Sequence, residues 1–412
     1  PGGDGGMRYT IGQLAEIIDG DRGKNYPKQD EFYPQGYCLF LNTGNVTKEG
    51  LIFEENQFIM KEKDEALRKG KLKRGDIVYT TRGTVGNAGY YNSSVPYENV
   101  RINSGMVILR SNGEIVDARF LYQILKSEYY RPYFKQYCTG SAQPQLPIKN
   151  FSQIYLNVPD IKTQHRIADI LSVYDDLIEN NQKQIKLLEE AAQRFYKEWF
   201  VDLRFPGHEN TKIVDGVPEG WQYEKLGDLV KTTSGGTPSR RKSEYYVNGN
   251  IRWIKTKELN DRFIFETEEH ITEDAVKNSS AKVLPEGALI VAMYGATIGK
   301  IGITAAEMAC NQACCAFISF DDMISKEYLY CWLMDNREYL VSQGKGAAQS
   351  NLSQEMIRNF SLLCPDKKVI KNFTEIVTTM LENKRVLENK ILMLSKARDD
   401  LLPKLMSGEV EV

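Results

Sequence analysis

No stretch of this chain approaches the ~18 consecutive apolar residues that a membrane-spanning helix needs, and no hydrophobic segment near the start resembles an export signal. Pro1–Gly6, ahead of Met7, is expected to be an added leader rather than part of the fold. Cysteine is scarce and badly spaced for chemistry. The seven residues form no CxxC pair, and the cluster Cys310, Cys314 and Cys315 lies in an apolar run far in sequence from the three histidines. That pattern argues for buried, reduced thiols in a cytoplasmic protein, and against a disulfide framework or a metal centre. Glycine-rich cofactor fingerprints, the Asn/Asp-Pro-Pro-Tyr/Phe signature of amino-methyltransferases and helicase motifs are all missing, so catalysis by this chain alone is not expected. There is no bulk excess of positive charge either. The net charge is −2, and any nucleic-acid contact must come from local patches.

What the sequence does have is length and a repeat. Its 412 residues, 42% hydrophobic and 26% charged, suit a globular protein of two or three domains. Leu72–Tyr90, LKRGDIVYTTRGTVGNAGY, is echoed by Leu284–Ile303, LPEGALIVAMYGATIGKIGI, with Gly83 and Gly295 212 residues apart (295 − 83). Cys138–Leu146, CTGSAQPQL, is echoed by Gly344–Leu352, GKGAAQSNL, with Ala142 and Ala348 206 apart (348 − 142). Repeats this long are duplicated domains rather than solenoid units. Short alternating runs such as Asp76–Thr80 and Gly105–Arg110, broken by Gly/Asn turns, predict mixed α/β (α+β) globules. One helix is expected in each, at Asp117–Glu128 and Ser325–Asn336.

Each globule is followed by a long polar helix. In the first, Ile167, Ile170, Tyr174, Leu177, Leu188, Ala191 and Phe195 make an apolar stripe interrupted by Asn181 and Gln184. The second carries Phe373, Val377, Met380, Leu387, Ile391, Leu394 and Leu401. Apolar spacing of three and four predicts a coiled-coil seam. Antiparallel pairing would give a pseudo-twofold molecule with the globules held ~50 Å apart, from about 35 residues at 1.5 Å each. The expected divisions are 1–160, a helix over 161–205, 206–366 and a helix over 367–412.

Three motifs point to a partner surface. Glycines in Arg82–Gly89 and Tyr294–Gly302 permit close backbone approach, and Arg82, Thr84, Asn87, Tyr294, Thr297 and Lys300 offer polar contacts to phosphate or bases. Gly295-x3-Gly299-Lys300 is not a nucleotide P-loop: it is one residue short, and Ile301 replaces the Ser/Thr that would hold magnesium. Gln143, Gln145, Gln349 and Asn351 carry amides suited to adenine edges. The basic segment Ser234–Lys257 interleaves Arg240, Arg241, Lys242 and Lys255 with aromatic residues, seven Lys/Arg to one acid from Lys231. Lys61–Arg82 holds eight Lys/Arg against four acids, with Arg101 beyond it. Each motif also has a plain structural reading, as a hairpin turn, a sheet cap or a solvated loop.

PDIKTQHRIADIL at Pro159–Leu171, YKEWFVDLRFPG at Tyr196–Gly207 and GVPEGWQYEKLGDLV at Gly216–Val230, together with the paired loops, resemble the specificity subunits of type I restriction-modification enzymes over nearly the whole chain. Pro365–Ile376 follows the pattern without its Gln-His pair. The resemblance implies two target-recognition domains that read a split double-stranded DNA site. The helices would act as a ruler and as the dock for two methyltransferase subunits, with translocating restriction subunits joining. It implies no cofactor on this chain: S-adenosylmethionine, ATP and magnesium would sit on the partners. A coiled-coil scaffold tethering two protein-binding globules, with no DNA contact, is the alternative.

Overall fold

The structure is a computed structural model that describes residues 6–140, 143–344 and 351–411. They form two compact units: one runs to Ile178 and resumes at Met393, and the other is Glu179–Leu392. The expected boundaries fall at the ends of the long helices, Ile161–Tyr196 and Lys367–Ser407. The compact units instead divide each helix in its middle. The reason is packing, because each globule's core is completed by a piece of both helices. Ile167, Ala168, Leu171, Leu402 and Leu405 belong to the first core. Ala192, Tyr196, Trp199, Phe200, Phe373, Val377 and Leu381 belong to the second.

The first unit's main sheet has the order Ala15–Asp19, Met106–Ser111, Ile77–Thr80, Ala88–Tyr90, all antiparallel. The second unit repeats it with Val230–Ser234, Cys314–Phe320, Leu289–Ala292 and Ile301–Thr304, and adds Arg262–Ile264 in parallel at the edge. A second small sheet stands beside each. Phe58–Ile59, Cys38–Leu41 and Val100–Ile102 form it in the first unit; His270–Ile271, Ile251–Ile254, Met308–Cys310 and Val283–Leu284 form it in the second. The shared strand order is the duplication seen in the sequence. The strands read as unbroken apolar runs because both faces are covered, one by helix and one by the small sheet. Ile77–Thr80 and Leu289–Ala292 are buried throughout.

The short helices start where expected. Asp117 accepts a hydrogen bond from the backbone of Phe120 (3.0 Å), and Ser325 accepts one from Tyr328 (3.2 Å). Asp160 caps the first long helix through Lys162, Thr163 and the Thr163 hydroxyl. Gln164, buried, ties that helix to the first globule. It accepts from the backbone N–H of Asp117 (2.9 Å) and donates to the carbonyls of Pro159 (2.8 Å) and Ile115 (3.0 Å).

In the second unit the helix segments are antiparallel: Glu189 meets Lys384 (2.6 Å), while Trp199 and Phe200 meet Phe373. Phe373, Val377 and Leu387 are buried as the spacing predicted, and Met380, Ile391 and Leu394 are half-buried. On the first helix the stripe is displaced. Ile167 is buried as expected, but beyond it Leu177 is 45% exposed, Ile170, Tyr174 and Leu188 are half-buried, and Ile178, Ile185 and Ala192 are buried instead. A straight helix drifts from a seven-residue repeat, so residues read as one stripe end on its flank. The seam also carries charge that the apolar count passed over: half-buried Asp175 and buried Lys384, Glu388 and Arg398.

All seven cysteines are free, and burial pushes the Cys315 thiol up to about 12. Among the described residues no helix is long and apolar enough to cross a membrane, and no cluster could hold a metal ion.

Candidate nucleic-acid interface

In each unit a tight loop joins the two adjacent antiparallel strands, and its backbone closes in the same way. Thr80 and Asn87 are bonded N–H to O=C (2.9 Å), and Gly86 donates to the Thr80 carbonyl (3.0 Å). Ala292 donates to the Lys300 carbonyl (2.8 Å), and Gly299 to Ala292 (3.0 Å). Gly83 and Gly86 have φ of +71° and +100°, and Gly295 and Gly299 +78° and +77°. Side-chain-bearing residues rarely adopt that region, so the two-glycine pattern is a requirement of the turn. The tips are open: Arg82, Gly83 and Thr84, and Tyr294, Gly295 and Ala296, are exposed.

The fold then lays the second motif beside the first. Arg82 bridges Gln145, and Tyr294 bridges Asn351. The next residue repeats the arrangement, Leu146 donating to Thr81 (2.9 Å) and Leu352 to Met293 (2.8 Å). Thr139 and Gln145 exchange both backbone bonds, at 2.7 and 2.9 Å. Motifs some sixty residues apart thus form one exposed polar ridge in each unit, carrying Arg82, Thr84, Gln143 and Gln145 in the first. In the second it carries Tyr294, Asn351 and the half-buried Thr297. Gln349 lies outside the described residues.

Other expected contacts are held differently. Arg101 is 5% exposed, with Nε 2.5 Å from Asp64 and the guanidinium donating to three carbonyls. It is a structural ion pair, and the expectation that it contacts DNA is corrected. Asn87 is also buried, donating to the Val46 carbonyl (2.9 Å), and it steadies the loop from beneath. Lys300 bonds Asp261 (2.8 Å). In the basic segment Arg240 pairs with Glu269 (2.6 Å) and lies over the Tyr246 ring (4.3 Å). Lys255 pairs with Glu268 (2.9 Å) and Glu269 (2.6 Å), and Arg252 with Glu266 (2.9 Å). Bonds from Arg240 and Lys255 hold the Glu269 carboxyl down at about 2. The sequence shows Glu266, Glu268 and Glu269 beyond the basic run, but not that they fold back onto it. Lys242 donates to the Tyr245 hydroxyl (2.9 Å). Arg241 is exposed with no ion pair among the described residues.

Against known proteins, the family model described as the type I restriction modification DNA specificity domain matches twice, at residues 5–190 and 218–393. The MjaIX specificity subunit of Methanocaldococcus jannaschii is 27% identical over 358 residues, covering 85% of this chain and 81% of that one. The HindI specificity subunit of Haemophilus influenzae is 27% identical over 458 residues, covering 95% and 98%. The crystal structure of a type I restriction-modification S subunit from M. genitalium aligns with a TM-score of 0.55 at 16% identity, covering 97% and 96%, a likeness of fold.

Proposed function

Because this chain belongs to the type I restriction-modification DNA specificity family, we propose that its two loop ridges read the two halves of one split DNA target. The chain is a specificity component that selects DNA sequence and is not itself an enzyme. It works with DNA and with other subunits of such a system. The observation that carries the finer reading is the repeated pairing of Arg82 with Gln145 and of Tyr294 with Asn351. One backbone frame presents different side chains in each copy, as expected if the geometry is kept and the sequence being read changes. Exposed amides, hydroxyls and an arginine suit base edges and phosphates.

In this reading two methyltransferase subunits, bearing S-adenosylmethionine, dock along the long helices. Restriction subunits bring ATP and magnesium, and the assembly acts on DNA in the cytoplasm. The helices set the length of the unread spacer between the half-sites. A near-neutral chain fits shared phosphate contact with those partners.

The test is reconstitution with the methyltransferase subunit, followed by mapping of methylated adenines. A split consensus with a fixed gap is the expected result. A scaffold that never touches DNA would give neither a consensus nor salt-sensitive binding to duplex.

A further inference from the structure

Arg131 opens the helix Arg131–Lys135, and Arg337 opens Arg337–Gln343. They are 206 residues apart (337 − 131), the offset that relates the two amide loops. Each lies against the second glycine of its unit's loop. A Cβ added to Gly86 would sit 3.0 Å from Arg131 Nη1, and one added to Gly299 3.3 Å from Arg337 Cγ. Arg131 donates to Asn87 (3.5 Å) and to Glu128 (3.0 Å). Arg337 donates to the Gly299 carbonyl (3.2 Å) and grips the Asp261 carboxylate with both terminal nitrogens.

Asp261 is the hub of the second brace. Its carboxylate also accepts from Lys300 (2.8 Å) and from the Ile301 backbone (3.1 Å), so it holds the far end of the loop at two places. Its carbonyl accepts from Lys384, buried between the helices (2.6 Å). Its φ of +68° is uncommon for a residue with a side chain. Such a backbone persists only where surrounding contacts over-determine it.

We infer that Arg131 and Arg337 are equivalent positioning residues, each fixing the trailing end of its loop so that the exposed tip meets DNA already ordered. In the second unit Asp261 joins that brace to the helix pair. The guanidinium suits the task because its rigid fork spans a carbonyl and a carboxylate together. Lys300, committed to Asp261, belongs to the brace rather than to the reading face. Ordering the loop in advance removes an entropic cost from binding, so loosening it lowers discrimination at one half-site.

The inference rests on the proposed reading of split DNA, and the test separates the two. The wild-type chain with its methyltransferase subunit comes first; failure to give a split consensus sinks that reading. With a consensus in hand, Arg337→Ala and Arg131→Ala are assayed on DNAs carrying single changes in either half. Arg337→Ala should lower discrimination about tenfold in one half only. Arg131→Ala should do so in the opposite half and by less, its loop contact being longer and uncharged. Arg337→Lys should recover part of the loss, and it decides the matter by the same readout if the alanine variant fails to fold. Equal relaxation of both halves would mark these arginines as merely structural, and unchanged discrimination would remove the positioning role; either overturns the inference.

Discussion

In the first unit one carboxylate serves two cations: Asp175 accepts from Lys126 (2.7 Å) and Arg398 (2.8 Å), whose side chains are 4% and 10% exposed. In the second unit one cation serves two carboxylates: Lys384, 1% exposed, meets Glu189 (2.6 Å) and Glu388 (3.8 Å) and also donates to Tyr330 (3.1 Å). Both clusters stitch a globule to pieces of both long helices; in the first, Arg398 has a second carboxylate in Asp399 (3.0 Å). Burial lowers Lys126 to about 8 against the pull of Asp175, and burial raises Glu388 to about 7. Each unit thus has a polar anchor between globule and helices, and the two anchors differ in chemistry, as the loop braces also do. Buried pairs of this kind contribute little net stability but are costly to break one-sidedly.

The contrast fixes which removals are severe. Asp175→Ala leaves buried Lys126 without its carboxylate, while Arg398 keeps Asp399 (3.0 Å), and should cost about 3 kcal/mol, read as lost hydrogen-exchange protection around Ile167–Ile178. Glu189→Ala leaves Lys384 with Glu388, Tyr330 and the Asp261 carbonyl, and should cost less than half of that. Equal costs would erase the asymmetry.

A smaller effect is expected on the reading surface. Arg241→Ala removes an exposed cation with no ion pair among the described residues and should weaken binding to all duplexes and lower the salt slope by about one. Arg240→Ala removes a cation already matched by Glu269 and should change that slope less. The reverse ranking would show that the Arg240–Glu269 pair opens on DNA.

A separate effect is in pH dependence. Folded Glu388 titrates at about 7 against its ordinary 4.5. Between those values the folded chain holds a proton that the unfolded chain has released. This contribution to stability is therefore full below 4.5 and is lost as pH rises through 7. Glu388→Gln should flatten that decline, and a variant with the wild-type pH profile would contradict the assignment.

The sequence carried the duplication, the helix starts and the loops, because glycine spacing, caps and apolar period are local signals. The Gln145 and Asn351 pairings were not legible, since nothing in a linear echo says which strand ends meet. Arg101 looked like a phosphate contact because its partner, Asp64, is 37 residues away. The acidic run Glu266–Glu269 was similarly remote from the arginines it neutralises. Lys384 did leave a trace: a charged residue between Leu381 and Leu387, where the period calls for an apolar one, signals a buried anchor.

The central claim is that each unit reads its own half of the target. It is tested most directly by mapping adenine methylation with assembled complexes carrying Arg82→Ala and Thr84→Ala in one chain, or Tyr294→Ala and Thr297→Ala in another. The account predicts that each pair of substitutions degrades the consensus in a single half, opposite halves for the two chains, with the gap unchanged. Degradation of both halves by either pair would contradict it.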